Sequence, residues 1–386
     1  MLIESILFYL ACITLVFLLV LGTEAALGSR SMGFLKDVVL SDKAPGPRVS
    51  VLIPARNEVH KIQEGLTSIL SQDYPDLEII VLDDRSSDGT SEILAKMEVH
   101  HPQLKVFRIS QLPAGWIGKN HALHYGVQHA TGDLLLFTDA DVVMHSSTVR
   151  KAVAYMMENQ LDHLTLSPDV RTSGIALQIM VGVFAIFFTF FVRPWRVKDP
   201  RSSRFVGIGA FNLVRKEAYL AVGTHQAIAM RPDDDLKLGK LIKKNGFRQE
   251  LLYGQGMLQV EWYSSVREMN KGLMKNMFAG VDYRISSVLV GTLVLLLLGV
   301  WPFAAVVLTD GVTRVVNLTI VLLILGMCRQ SSKRTNLKPW FGLGFPLGAL
   351  FLVYVQWKAM LTAFLTDGIN WRDTHYSLDE LKANKV

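Results

Sequence analysis

Apolar residues follow two different patterns along this chain. Toward the ends they form long runs: residues 2–21, broken early by Glu4 and Ser5, then 286–308, 312–328 and 341–365. Each approaches the ~20 residues a helix needs to cross a hydrocarbon core, which predicts membrane helices at both ends. The first run lacks a positive leading region and outlasts the apolar stretch of a cleaved signal peptide, so it reads as an uncleaved anchor over residues 1–29. Between the ends the periodicity changes. Residues 48–54 read as a buried strand closing at Pro54, residues 59–71 as a helix with Ile62, Leu66, Ile69 and Leu70 at helical spacing, and residues 77–82 as a second strand. A polar turn over residues 83–90 opens another helix. Residues 105–109 form a third strand, 117–130 a helix, and 133–138 a fourth strand running into Asp139. This alternation predicts an α/β, Rossmann-like, mostly parallel sheet with covering helices, whose ligand site lies at the carboxyl ends of the strands. Pro54, Asp84 and Asp139 each sit at such an end.

One further apolar run, residues 175–192, is interrupted only by Gln178 and Thr189. A full crossing there would put Asp141 and the acidic residues 233–235 on opposite sides of a bilayer, where one site cannot use both. It is expected instead as an interfacial helix, flanked by Arg193, Trp195, Arg196 and Lys198. The expected organisation is an anchor (1–29), a catalytic domain (30–284), C-terminal membrane helices (285–366) and a tail (367–386). Arg329, Lys333, Arg334 and Lys338 favour a cytoplasmic loop. Counting crossings back from it makes a multi-pass protein of the cell or inner membrane with a cytoplasmic catalytic domain. The same count puts the tail outside, unless the last apolar run re-enters and Trp371-Arg372 docks at the cytoplasmic face.

The formal charge of +6 suits anionic headgroups and a nucleotide diphosphate equally. No nucleic-acid recognition motif accompanies it, so no nucleic-acid partner is expected. The two cysteines, Cys12 and Cys328, both fall in apolar runs and support neither a disulfide framework nor a Cys-based metal site.

Three acidic groups follow predicted strands or open a helix. Asp139 and Asp141, one residue apart past a strand end, can grip a ribose and a hard cation such as Mg²⁺ or Mn²⁺, or simply line a solvated turn. The run from Asp83 to Thr90 is either a turn in which Ser87 or Asp88 caps the next helix, or one whose strand-end carboxylate, Asp84, accepts hydrogen bonds from a nucleobase or ribose. Asp233, Asp234 and Asp235 precede an apolar helix, where acids favour the helix dipole. Three in a row exceed what a cap needs, and a carboxylate flanked by others has its pKa raised toward that of a useful general base. Lys119, near the start of a helix after Gly115-Trp116-Ile-Gly118, can hold a diphosphate together with free backbone N–H groups. His121 and His124 share a helix face, either as surface residues or as two ligands lacking a third.

Val51-Leu-Ile-Pro54-Ala-Arg56-Asn57-Glu58, Leu82-Asp83-Asp84-Arg-Ser-Ser-Asp88-Gly89-Thr90, Asp139-Ala-Asp141 and Asp234-Asp235-Leu-Lys-Leu238 occur in that order. Together they resemble the inverting glycosyltransferases of family 2, which have the GT-A fold. Gly115-Trp116-Ile-Gly118-Lys119 and the segment from Val206-Gly207-Ile-Gly209 to Tyr219 are similar to the membrane-bound branch that includes ceramide glucosyltransferases, hopanoid-associated enzymes and carotenoid glycosyltransferases. The resemblance implies that Pro54, Arg56, Glu58 and Asp84 hold the nucleobase side of a UDP- or GDP-sugar. It further implies that Asp139 contacts the ribose, that Asp141 binds Mg²⁺ or Mn²⁺, and that Asp235 is the catalytic base with Asp234 beside it. The register within residues 233–235 is open by one.

Many relatives carry Gln-x-x-Arg-Trp in the acceptor channel. Here Gln259-Val-Glu-Trp262-Tyr263 keeps the Gln and Trp, lacks the Arg and is one residue shorter. That disfavours a processive polysaccharide synthase and favours single transfer to a membrane lipid, with Gln259, Trp262 and Tyr263 on the acceptor side. A scaffold that has lost catalysis is a further alternative, disfavoured because every acidic motif is present.

Overall fold

The computed structural model describes residues 2–40, 46–372 and 374–386. After α1 (Leu2–Arg30) the elements alternate: β1 (Val49–Ala55), α2 (Ile62–Leu70), β2 (Leu77–Asp84), α3 (Thr90–His100), β3 (Leu104–Ile109), α4 (Gly118–His129) and β4 (Leu134–Phe137). These are the predicted elements, with one informative displacement. The helix expected from residue 59 starts at Ile62. Asn57 takes φ 56°, and the N–H groups of Glu58 and Val59 donate to Thr90 Oγ1 (2.9 Å) and Asp88 Oδ2 (3.1 Å) instead of entering a helix. The loop after β1 is thereby tied to the loop after β2.

The chain continues through β5 (Val142–Met144), α5 (Thr148–Glu158), β6 (His163–Ser167), β7 (Asp169–Val170), α6 (Ile175–Val192), β8 (Asn212–Arg215), α7 (Lys216–Ala221), α8 (Asp234–Lys244), β9 (Gln249–Tyr253), β10 (Leu258–Val260) and α9 (Val266–Ala279). Seven strands form one sheet in the order β3-β2-β1-β4-β8-β6-β9, and β5-β10-β7 form a second. Only β8 runs against its neighbours in the large sheet. Strand side chains alternate between two cores, as a sheet covered on both faces requires: Val51, Ile53 and Val81 join one, Leu52, Ile80 and Leu82 the other.

The chain divides into two compact units. One comprises Met32–Arg171, Pro194–Glu261 and Ala383–Val386, and holds both sheets. The other comprises Met1–Ser31, Thr172–Arg193 and Trp262–Lys382. The chain leaves the sheet unit after β7 of the small sheet and rejoins it after α6 at β8 of the large one.

Within the sheet unit, residues 206–209 pass unusually close to α8. A Cβ on Gly207 would overlap the carbonyl oxygen of Asp235, and one on Gly239 would overlap that of Val206. Gln249 secures this approach, accepting from Val206 N–H (3.0 Å) and donating to the Gly239 carbonyl (3.1 Å). His163 takes a hydrogen bond from Gln249 on Nδ1 (2.6 Å) and pairs with Asn212 through Nε2 (3.0 Å). Burial pushes its pKa down to about 4, so the ring is neutral.

The other unit is helical. Five helical segments among the described residues are long and apolar enough to cross a membrane: Leu2–Arg30, Ile175–Arg196, Ile285–Leu308, Gly311–Ser332 and Pro339–Leu365. Small residues let them approach closely, as membrane helices do. Gly182 faces the Phe341 ring, Gly344 faces Ile179, and Gly348 faces Val183. Thr292 Oγ1 accepts from Gln356 Nε2 (2.7 Å) and Trp357 Nε1 (2.8 Å). Leu2, Ile13, Val307, Val312, Leu347 and Leu365 are all exposed, leaving an apolar surface larger than a water-soluble monomer tolerates.

Gly207→Ala is expected to destabilise the sheet unit by about 1–3 kcal/mol, read as a lower unfolding temperature. Glu78 gives a pH prediction. Burial alone would raise its pKa, but hydrogen bonds from Ser50 (2.5 Å) and from the Thr131 N–H (2.6 Å) and hydroxyl (2.8 Å) outweigh it and hold it down at about 2. A folded-state pKa below the unfolded value contributes stability at neutral pH that is lost as pH falls through both. The stability gap between wild type and Glu78→Gln should therefore be full above pH ~5 and close as pH approaches 2. A gap independent of pH would contradict it.

Candidate active site

The sheet topology brings the carboxyl ends of β1, β2 and β4 side by side, and three of the predicted groups lie there. Pro54 is the penultimate residue of β1. The following loop carries Arg56 and Glu58, and the Glu58 charge reaches Asp141. Asp84, the last residue of β2, is buried, and Arg85 engages both its oxygens (2.7 and 2.9 Å). A Cβ on Gly118 would strike the Asp84 carboxylate, so this pair abuts the start of α4. A ligand there meets an Asp–Arg pair rather than a bare carboxylate. Asp83, by contrast, is structural: Ser91 Oγ donates to it, and Arg108 lies at 3.6 Å.

Lys119, the second residue of α4, is the hub of the acidic groups. Its Nζ lies 2.8 Å from Asp139 and 3.5 Å from Asp234. Burial works against its charge, but Asp139, Asp234 and Asp235 outweigh burial and raise its pKa further, so it stays protonated. A Cβ on Gly209 would lie 2.8 Å from Asp139 Oδ2, 3.3 Å from Lys119 Nζ and 3.5 Å from Asp235 Oδ2. Side chains from β4's end, α4 and α8 thus converge where glycine leaves room.

The three consecutive aspartates have distinct partners. Asp233 is buried and pairs with Arg231 through two hydrogen bonds (2.9 and 3.0 Å) and with Lys237 at 3.6 Å. Asp234 faces Lys119. Asp235 accepts from the N–H groups of Gly209 and Leu236, each at 2.7 Å. Burial and the adjacent Asp234 push the Asp235 carboxyl up to about 7, with Lys119 pulling the other way. That is the range in which a carboxylate serves as a base near neutrality.

Asp141 is pushed up to about 6, chiefly by burial and then by Asp139, with Lys61 opposing at 3.7 Å. A partly buried oxygen donor whose charge is raised in energy by a neighbouring carboxylate suits a hard divalent cation. No group of three or more His, Cys, Asp or Glu placed to hold a metal occurs among the described residues. An ion on Asp141 would therefore complete its shell from diphosphate and water, as Mg²⁺ commonly does.

Beside Asp141 lies a cavity of about 210 Å³ walled by Lys61, Glu64, Arg171, Gln259 and Glu261. Gln259 sits on β10 and accepts from Arg171 Nη2. Trp262 and Tyr263 belong to the helical unit, where the Trp262 ring packs at a tilt against Phe184 (4.9 Å) and Tyr263 (4.8 Å). His121 and His124 join an aromatic cluster with Trp116 (5.7 and 4.9 Å).

Sequence reasoning missed several groups. Lys61 and Arg171 have no motif. For residues 206–209 the signal that could have found the close approach is the pair of alternating glycines, 207 and 209. His225 lines the same pocket as Lys119 and Asp235. It pairs with Tyr219 Oη through Nδ1 (2.7 Å), and burial holds it down at about 3, hence neutral. Asn120, buried beside Lys119, holds three backbone carbonyls of residues 228–231.

Residues 50–222 match the family model described as Glycosyl transferase family 2. The chain is 26% identical over 247 residues to a 4,4'-diaponeurosporenoate glycosyltransferase of Staphylococcus haemolyticus (strain JCSC1435), covering 61% of this chain and 62% of that protein. It is 26% identical over 239 residues to the Staphylococcus aureus (strain USA300) protein of that name, covering 60% and 61%. The match thus spans less than two thirds of these curated relatives. A mannosyltransferase from Pyrobaculum calidifontis, solved with GDP-Man and Mn²⁺, superposes with a TM-score of 0.54 at 18% identity, over 94% of this chain and 99% of that one. Residues 50–222 are thus similar to a glycosyl transferase family 2 domain, and the fold is α/β of the GT-A type.

Proposed function

We propose that this protein is a membrane-bound, inverting glycosyltransferase that moves one sugar from a nucleotide-sugar to a lipid acceptor. The observation that carries the reading is the convergence of Asp139, Asp234 and Asp235 on Lys119 at the carboxyl edge of the sheet. Such a cluster has little structural value, because like charges brought together out of water oppose folding. It has the right composition for displacement at an anomeric carbon.

The residues 54–58 loop and the Asp84–Arg85 pair would hold the nucleobase of a UDP- or GDP-sugar, with Asp139 on the ribose. Lys119 would meet the diphosphate as its ammonium exchanges a carboxylate partner for a phosphate oxygen. Asp141 would hold Mg²⁺ or Mn²⁺, and a divalent cation bound there neutralises charge on the departing diphosphate. Asp235 takes the proton from the attacking hydroxyl, or from a carboxylic acid, while Asp234 keeps its affinity for that proton high. Gln259 lies on the acceptor side of Asp141, with Trp262 and Tyr263 following it into the helical unit.

The acceptor is a lipid in this reading because the relatives named above carry a carotenoid acid in their names and because five apolar helices accompany the domain. The basic residues Arg329, Lys333, Arg334 and Lys338 favour a cytoplasmic loop, and with it a cytoplasmic catalytic unit. Helix α6 would lie at the bilayer surface, since the chain on both sides of it belongs to the sheet unit.

The test is nucleoside diphosphate release by purified protein with Mg²⁺ or Mn²⁺, a panel of nucleotide-sugars, and membrane lipid present or absent. Asp235→Asn is expected to lower lipid-stimulated release by about 10²–10⁴-fold; release equal to wild type would exclude Asp235 as the base. Because a base must be deprotonated, wild-type kcat/KM should fall tenfold per pH unit below about 7. A rate that is flat between pH 5 and 8 would contradict that assignment.

A further inference from the structure

Residues 227–231 lead from the buried His225 to the acidic run at 233–235, and beyond the short turn His225–Ile228 they belong to no helix or strand. Their position depends on hydrogen bonds from elsewhere. Asn120 Nδ2 donates to the carbonyls of Ile228 (2.8 Å), Ala229 (3.2 Å) and Arg231 (2.9 Å), and the Ile117 N–H donates to Ala229 (2.9 Å). This set fixes the segment to α4 and Lys119.

The second set comes from the far end of the sequence. Asn384 Oδ1 accepts from the Met230 N–H (2.9 Å), and Asn384 Nδ2 donates to the Ala227 carbonyl (2.9 Å). One amide thus closes both ends of a four-residue stretch, as a pairing strand would. Lys240 of α8 donates to the Val386 carbonyl (2.6 Å), and Val386 packs against the core cluster that contains Leu238 and Ile242. Residues Ala383–Val386 accordingly belong to the sheet unit although Trp262–Lys382 do not.

We propose that residues Ala383–Val386 are a positioning element of the active site. Asn384 fixes residues 227–231 and so sets Asp234 and Asp235 against Lys119 and Asp139. The tail contributes no group to the reaction and acts through the segment it holds. Its docking also means that the stretch from Trp262 to Lys382 starts and finishes at the sheet unit.

The kinetic part of this proposal rests on the glycosyl-transfer reading, so the test has two readouts. In full-length protein, Asn384→Ala should speed amide hydrogen exchange of residues 227–231 by about tenfold or more. It should also lower kcat about tenfold while donor KM stays within about twofold, the signature of misplaced catalytic groups rather than lost binding. Asn384→Asp keeps the acceptor for Met230 and loses the donor to Ala227, so it should fall between. Unchanged exchange in Asn384→Ala overturns the brace. Faster exchange with wild-type kcat, or kcat and donor binding lost together, overturns its positioning role. Absence of any turnover by wild-type protein would sink the glycosyl-transfer reading alone, and the exchange rates would then decide the brace by themselves.

Discussion

Carboxylates brought together out of bulk water repel one another and resist losing their protons, and the architecture of this active site follows from how that repulsion is contained. Asp139, Asp234 and Asp235 approach because Lys119 stands among them with its charge held on by all three. The containment is incomplete, as the raised affinities of Asp235 and Asp141 for protons record. That residual energy is what a donor diphosphate and its cation would relieve on binding, and what lets a carboxylate act as a base near neutrality. The rest of the sheet unit holds this arrangement in place. Glycines 207 and 239 let residues 206–207 and α8 approach to backbone contact, Gly209 leaves room for the converging side chains, and Gln249 and His163 hold the approach.

Much of this was legible in the sequence because it obeys local rules. Buried parallel strands read as apolar runs, their ends as polar turns, and the acids at those ends fell where ligands bind in such sheets. The register among residues 233–235 was not legible. What distinguishes the three is their partners: Arg231 and Lys237 engage Asp233, Asp234 faces Lys119, and Asp235 accepts from two backbone N–H groups. Nor could any pattern show that Arg85 covers both oxygens of Asp84, since the pairing depends on Arg85 adopting φ 58° at the strand end. Asn120, His225 and Asn384 matter through contacts about a hundred residues away or more, or through burial, and periodicity carries no trace of either.

The apolar helices pose the complementary constraint. Their packing uses small residues at close approaches and a shared threonine, as helices in lipid do. The sheet unit is entered, left and re-entered by chain that passes through the helical unit. Strand pairing across α6 and the docking of residues 383–386 both require the chain to come back to the sheet unit.

The central claim is direct displacement at the anomeric carbon by a lipid acceptor activated by Asp235. The most direct test is the anomeric configuration of the lipid product, read by NMR after incubating purified protein with its nucleotide-sugar, Mg²⁺ or Mn²⁺ and membrane lipid. A single sugar joined to lipid with inverted configuration is the predicted result. Retention of configuration, or donor consumption that leaves no glycosylated lipid, would contradict the account.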